Sequence, residues 1–457
     1  MDIGLIGLGV MGENLVMNAV SKGYTVCVYN RTVEKTRKFV GEANTPSITA
    51  GETLPEFVSA LKAPRKILLM VKAGAPVDEF LRKLSEHLSP DDIVIDGGNS
   101  NYKDTTERCR FANGKFLYVG CGISGGEDGA RYGPSIMPGG DRAAWEHIQG
   151  ILQGISARAE GGGPCCEWIG PEGSGHLVKT VHNGIEYAEM QVISDFYQIL
   201  RARMEPCEVS AVFKKWQESG TSGFLIESAV QVLEKKSEEK FIIDSIVDAS
   251  AQKGTGKWTV QEAFEFGVPA SVISDAVMAR AISSMKGERA ELAQKLPAGT
   301  SQEADFSEIS AEEMRKAFLV CRAVSYIQGF NLIRAISEHN KWDISLKTLC
   351  SVWSNGCIIR SEFLGTLAAI SESSLLFASS EFLSIARDGI AQLRKIVALS
   401  VQGGVSIPCI SSVLSHYDAM RAEKSSGNMI QALRDLFGAH TLLLEESPET
   451  PVHINWK

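Results

Sequence analysis

The chain has 457 residues, a formal net charge of −9, 44% hydrophobic residues and 22% charged ones. That length exceeds one compact core and predicts two or three domains. The acidic balance argues against a nucleic-acid surface, and no apolar run is long enough for a membrane span.

Ten cysteines occur as singles apart from the Cys165-Cys166 neighbours. No C-x-x-C pair suggests zinc or redox work, so free thiols in a reducing cytoplasm are expected. The first residues run straight into a predicted strand, without the basic head and cleavage site of a signal peptide.

That strand, residues 2–6, leads into Gly7-Leu8-Gly9-Val10-Met11-Gly12 and then a helical pattern. Strand, G-x-G-x-x-G and helix in this order form the dinucleotide fingerprint of a Rossmann-type fold. Gly9 would let the backbone approach a pyrophosphate, and Gly12 would let helix and strand pack closely. A second strand, 24–29, ends in Asn30-Arg31-Thr32. An NAD site usually carries an acidic residue here, whereas a guanidinium binds a 2′-phosphate bidentately. NADP is therefore expected over NAD, with a solvated surface role for Arg31 as the alternative.

Further strands are expected at 66–71, 92–96 and 116–120, extending a parallel sheet. Ligands sit beyond the carboxyl ends of such strands, which points Val71-Lys72-Ala73 and Gly97-Gly98-Asn99 at cofactor or substrate. Ser124-Gly125-Gly126 and the turn-rich stretch from Tyr132 to Gly140 offer backbone N–H groups to an anion, or are plain loops.

The run KTVHNGIEYAEMQ, 179–191, is helical and two-faced. At about 100° per residue, Lys179, His182, Asn183, Glu186 and Tyr187 share one arc, with Val178, Val181, Ile185, Ala188 and Val192 opposite. Lys179 and Glu186 lie two turns apart, roughly 10 Å along the axis. That separation lets a base and an acid bracket a small molecule. Beside a nicotinamide, a neutral lysine could take a hydroxyl proton, and a carboxylic acid opposite could protonate an enol carbon after loss of CO2.

Downstream, residues 175–425 are rich in long helical stretches, including 312–338 and 374–401. A faint similarity between the stretches starting near Lys179 and Arg315 suggests an internal repeat. After Gly427 come a short helix and the tail EESPETPVHINWK, too poor in apolar residues for its own core. It needs another surface to lie on.

Ten segments, GLGVMG (7–12), NRT (30–32), VKA (71–73), DGGNS (96–100), SGGEDGARYGPSIMPGG (124–140), KTVHNGIEYAEMQ (179–191), QKGTGKWT (252–259), MARAISS (278–284), GCIIRS (356–361) and RDLFGAH (434–440), follow in order over nearly the whole chain. On these motifs the sequence resembles the decarboxylating 6-phosphogluconate dehydrogenase family. The resemblance implies oxidation of 6-phospho-D-gluconate at C3 by NADP, loss of C1 as CO2 and release of ribulose 5-phosphate without a metal. By matching motif, Lys179 would be the base and Glu186 the acid. Asn99, Ser124, Gly125, Gly126, His182 and Asn183 would hold the sugar acid. Tyr187, Lys253 and Arg280 would take the phosphate end, joined by Arg434 and His440 from the tail of a second subunit. Sequence alone leaves Lys253 and Arg280 equally compatible with ordinary surface charge.

The expected organisation is α/β followed by all-α. A doubly wound NADP-binding domain (1–174) precedes an all-helical substrate and dimerisation domain (175–425) and a tail (426–457) that reaches the partner in a homodimer. Two rivals are a β-hydroxyacid dehydrogenase without decarboxylation and a non-catalytic binder of NADP and sugar phosphate. Ser354-Asn355 stands where the family more often has Arg-Gly.

Overall fold

The computed structural model describes residues 1–252, 254–297 and 304–456. Its first half alternates strand and helix: β1 (Ile3–Ile6), α1 (Val10–Ser21), β2 (Val26–Tyr29), α2 (Val33–Ala43), β3 (Ile48–Ala50), α3 (Leu54–Ser59), β4 (Lys66–Leu69) and α4 (Ala75–Leu84). Then come β5 (Ile93–Asp96), α5 (Tyr102–Ala112), β6 (Leu117–Ser124), α6 (Gly126–Tyr132), β7 (Ser135–Gly140) and α7 (Arg142–Ile155). The seven strands form one sheet in the order β3-β2-β1-β4-β5-β6-β7, parallel except for β7. The order reverses between β1 and β4, and there the crevice at the strand ends opens.

Strand residues alternate between two cores. Leu5, Val28, Leu68 and Ile95 pack with Leu15, Val16 and Trp145 on one face. Ile6, Cys27, Ile67, Leu69 and Val94 pack with Phe57, Leu81 and Phe116 on the other. Burial of both faces explains why these strands read as continuous Val/Ile/Leu runs.

The expected turn-rich loop before Gly140 is corrected: residues 135–140 pair with β6 as the antiparallel strand β7. Its glycines and proline carry poor strand propensity, and tertiary packing overrides it. A Cβ on Gly139 would lie 2.2 Å from Ser174 Oγ, and one on Gly122 of β6 would lie 2.4 Å from Lys179 Cβ. The missing side chains let a helix lie directly on this edge of the sheet.

That helix is α8 (Ser174–Arg201), and it opens the helical half. It is followed by α9 (Pro206–Trp216), α10 (Phe224–Glu234), α11 (Thr255–Glu265), α12 (Ser271–Ser284), α13 (Lys286–Lys295) and α14 (Ala311–Asn340). The rest are α15 (Leu346–Trp353), α16 (Phe363–Ser371), α17 (Ser380–Gln402), α18 (Pro408–Arg421) and α19 (Gly427–Gly438). The helix expected at 312–338 is α14, started by a Ser310/Glu313 capping box. The one expected from 374 begins later, because Ser379 caps α17 by accepting from Phe382 N. The long helices α8 and α14 pack against each other in the largest apolar core.

In the tail, strands at 442–444 and 447–452 form a hairpin. Buried Asp435 ties α19 to the chain end, accepting from Ile454 N and Trp456 Nε1, with His453 Nδ1 at 2.9 Å. Among the described residues no helix is long and apolar enough to cross a membrane.

Candidate active site

The glycine-rich turn has the shape a pyrophosphate needs. A Cβ on Gly12 would stand 2.1 Å from Gly7 O, so α1 and β1 pack as closely as backbone allows. Gly9 faces open space and caps α1, with no side chain bonded to the first-turn N–H groups. An anion can approach there along the helix dipole. Leu8 N donates to Asn30 Oδ1 at 3.3 Å, which joins the turn to the end of β2. Val10, Arg31, Thr32 and Lys72 are exposed, Met11, Val71 and Ala73 half-buried, and all adjoin the strand ends where a dinucleotide fits.

After β5 the chain turns at DGGNS. Asp96 is buried and accepts from Gly98 N (3.0 Å), Ser100 Oγ (2.6 Å) and Tyr118 OH (3.1 Å). The turn thereby holds Asn99 out into the crevice, exposed. Sequence reading missed Asp96 as the organiser, although it quoted the motif. It also missed His176, which is buried between Thr105 Oγ1 (2.6 Å) and the Asp96 carbonyl (3.1 Å).

The polar arc of α8 is not a solvated face. Lys179, His182, Asn183 and Tyr187 are all buried and Glu186 half-buried. Lys179 Nζ donates to Asn183 Oδ1 at 2.6 Å and lies 3.5 Å from His182 Nδ1. His182 Nε2 is 3.3 Å from Ser124 Oγ, and its Nδ1 is 4.0 Å from a Glu186 carboxylate oxygen. Trp353 closes one side, its ring edge-on to His182. The fold thus brings Ser124 of β6 to three residues that sequence had grouped on one helix.

Burial lowers the pKa of Lys179, against the opposing pull of the Glu186 charge. His182 is pushed well below its usual value by burial and by the Lys179 charge. At neutral pH it is therefore a neutral imidazole beside an amine that gives up its proton more readily than a free lysine.

Gly125 has φ +113°, and a Cβ there would lie 2.5 Å from Gly356 O. The GCIIRS segment is thus seated on the Ser124-Gly125-Gly126 turn, with Gly126 exposed at the start of α6. Next to it, burial pushes the Cys357 thiol up to about 12, which keeps it neutral near Lys179 and Glu186. Asn355 secures the approach, donating to Arg158 O and accepting from Gly356 N.

At the outer end of the arc the Arg280 guanidinium lies 3.5 Å from the Tyr187 ring centroid. Lys253 falls outside the described residues. Arg434 and His440 are exposed on the tail, Arg434 donating to Gln431 and His440 edge-on to Phe437. Within one chain they are not part of the buried cluster.

A doubly wound sheet with a glycine-rich turn, next to a buried lysine and a carboxyl on one helix, defines a dinucleotide-dependent dehydrogenase. The family described as the NAD binding domain of 6-phosphogluconate dehydrogenase matches residues 2–170, and that described as its C-terminal domain matches 175–456. The chain belongs to the 6-phosphogluconate dehydrogenase family. It is 44% identical to the decarboxylating 6-phosphogluconate dehydrogenase of Homo sapiens, covering 100% of this chain and 96% of that one. It is 42% identical to the Schizosaccharomyces pombe enzyme, again covering 100% and 96%. The Plasmodium falciparum 6-phosphogluconate dehydrogenase superposes with a TM-score of 0.94 at 37% identity, with both chains covered completely. That protein's structures include complexes with its cofactor NADP+ and its substrate 6-phosphogluconate.

Proposed function

We propose that the protein catalyses NADP-dependent oxidative decarboxylation of 6-phospho-D-gluconate to ribulose 5-phosphate and CO2, the decarboxylating oxidation of the pentose phosphate pathway. Full-length similarity to decarboxylating relatives supports the reaction. The observation that carries the residue assignment is the buried Lys179–Asn183–His182 cluster with Glu186 one turn beyond it.

Bound NADP supplies the hydride acceptor at the carboxyl edge of the sheet. Neutral Lys179 takes the proton of the C3 hydroxyl as that carbon gives up its hydride, while Asn183 and His182 orient the oxygen. The resulting ketone is β to the carboxylate, so the C1–C2 bond breaks, CO2 leaves, and the electron pair forms an enolate. Lys179 returns its proton to that oxygen, giving the enol. Glu186, protonated, then delivers a proton to the enol carbon, and the enol O–H proton passes back to Lys179. Asn99, Ser124, Gly125 and Gly126 hold the acid end, and Tyr187, Lys253 and Arg280 the phosphate end.

The phosphate end is completed by Arg434 and His440 of a second copy in a homodimer. In support, α19 leaves Met429, Ile430, Leu433, Leu436 and Phe437 exposed on a single chain, an apolar face that calls for cover. The division at 1–174, 175–425 and 426–457 is supported by α8 beginning at Ser174 and by separate cores around the sheet and around α8 and α14. All ten cysteines are unpaired, which suits the cytoplasm.

The test mixes purified protein with NADP and 6-phosphogluconate and follows reduced nicotinamide and CO2 together. One CO2 per hydride is expected. Reduction without CO2 would assign the chain to non-decarboxylating β-hydroxyacid chemistry, and binding without reduction would make it a non-catalytic binder.

A further inference from the structure

Arg108 of α5 is 4% exposed and carries no part of the site described so far. A buried guanidinium is costly unless its fork is met by charges and carbonyls. The start of α4 and the end of β5 meet it here. Its Nε donates to Asp78 Oδ1 of α4 at 2.7 Å. One terminal nitrogen donates to the Gly74 carbonyl at 3.1 Å, where the 71–74 loop enters α4. The other lies 3.5 Å from Asp96 Oδ2 at the end of β5. Asp96 is the group that holds Gly98 N and Ser100 Oγ, on either side of Asn99.

One planar cation therefore links the Gly74 carbonyl, by a hydrogen bond, to the Asp96 carboxylate at the end of β5, by an ion-pair contact in which the facing nitrogen makes no hydrogen bond. The fork is rigid, so it cannot follow Asp96 without shifting against the Gly74 carbonyl. We infer that Arg108 is a positioning residue that couples these two loops, so that sugar acid held at Asn99 also orders the loop that receives the cofactor. The inference rests on the proposed substrate contact at Asn99 and cofactor contact at 71–73. Coupling of this kind is reciprocal, and a Lys at 108 would keep the charge while losing the planar span.

Hydrogen exchange on the full-length protein with 6-phosphogluconate alone gives the direct test. Slower exchange is expected in peptides covering 97–101 and also in those covering 71–76, where no substrate contact is assigned. In Arg108→Lys the first protection should remain and the second disappear. The KM for NADP in that variant should rise about tenfold, with kcat within about threefold.

Protection of 97–101 without 71–76 in the wild type overturns the coupling, as does an unchanged KM for NADP in Arg108→Lys. Should that variant fail to fold, the wild-type exchange pattern decides alone. Protection of neither loop would remove the substrate contact at Asn99, and this inference with it.

Discussion

The two longest helices, α8 and α14, are both buried and both carry polar groups, yet they use them differently. On α14 the buried Arg322, Tyr326 and Gln328 end on partners in other elements. Arg322 makes two bonds to Glu189 Oε1, at 3.0 and 2.7 Å, and Tyr326 OH lies 2.8 Å from Ile359 O. Gln328 accepts from Val272 N and reaches Ser271 Oγ. On the site face of α8, Lys179, His182 and Asn183 bond chiefly to one another. Lys179 Nζ makes one 2.6 Å bond, to Asn183 Oδ1, and one 3.5 Å contact, with His182, which leaves it bonding capacity in either protonation state. A buried polar group is thus no sign of a site by itself. Donors held together with capacity to spare are.

The sharpest way to break this comparison is at Lys179. Lys179→Met should lower turnover about 10³–10⁴-fold while the Kd for NADP stays within about threefold. Wild-type turnover would remove Lys179 from the chemistry. The folded pKa of this lysine is depressed, so the unfolded chain binds its proton more readily, and the buried amine opposes folding increasingly as pH falls from the ordinary 10.5 toward the folded value, fully below it. Thermal melting of the variant near pH 7 should show no loss of stability attributable to the ammonium.

Arg322→Met tests the other helix. It leaves Glu189 as a buried, unpaired carboxylate and should cost about 3–5 kcal/mol in urea unfolding, with kcat of the folded fraction near wild type. A stable variant with lost turnover would make α14 part of the chemistry after all. Next in size, Glu186→Gln should slow ribulose 5-phosphate formation about 100-fold. Single-turnover nicotinamide reduction should change far less. Equal slowing of both would give Glu186 a role in the hydride step instead.

The smallest effect is expected on the packing side of α8. Asp195 accepts from Cys409 N and Ile410 N at the start of α18, and burial raises its carboxyl to about 7 from an ordinary 3.8. The folded state keeps this proton over a range where the unfolded chain has lost it. The stability it contributes is full below 3.8 and is lost as pH rises through about 7. Asp195→Asn should therefore gain about 1 kcal/mol at pH 8 and less at pH 5, with unchanged kcat. Chemical denaturation at the two pH values checks it, and an equal effect at both would mean that the carboxyl is not held neutral.

Much of this was legible because it is local. The turn chemistry of residues 7–12, the cation in Asn30-Arg31-Thr32 and the helical spacing of Lys179 and Glu186 each need only a few neighbouring residues to be read. Long helices were found nearly whole, while β3, with three residues, and β7, written in glycine and proline, were not. In β7 the sequence signal ran opposite to the structure, since residues chosen for close approach to α8 look like turn formers. The phosphate end was proposed only through family likeness, because Tyr187 and Arg280 lie on separate helices.

The sequence by itself determined which side chains share the working arc of α8 and which cofactor half-site precedes them, since backbone periodicity and turn geometry follow from adjacent residues. Only the tertiary structure decided that this arc is buried, that Ser124 and the GCIIRS segment close on it, and that Arg108 lies between the start of α4 and the end of β5. Burial, and with it the proton affinity of Lys179, depends on atoms brought in from distant parts of the chain, and no local pattern encodes their distance.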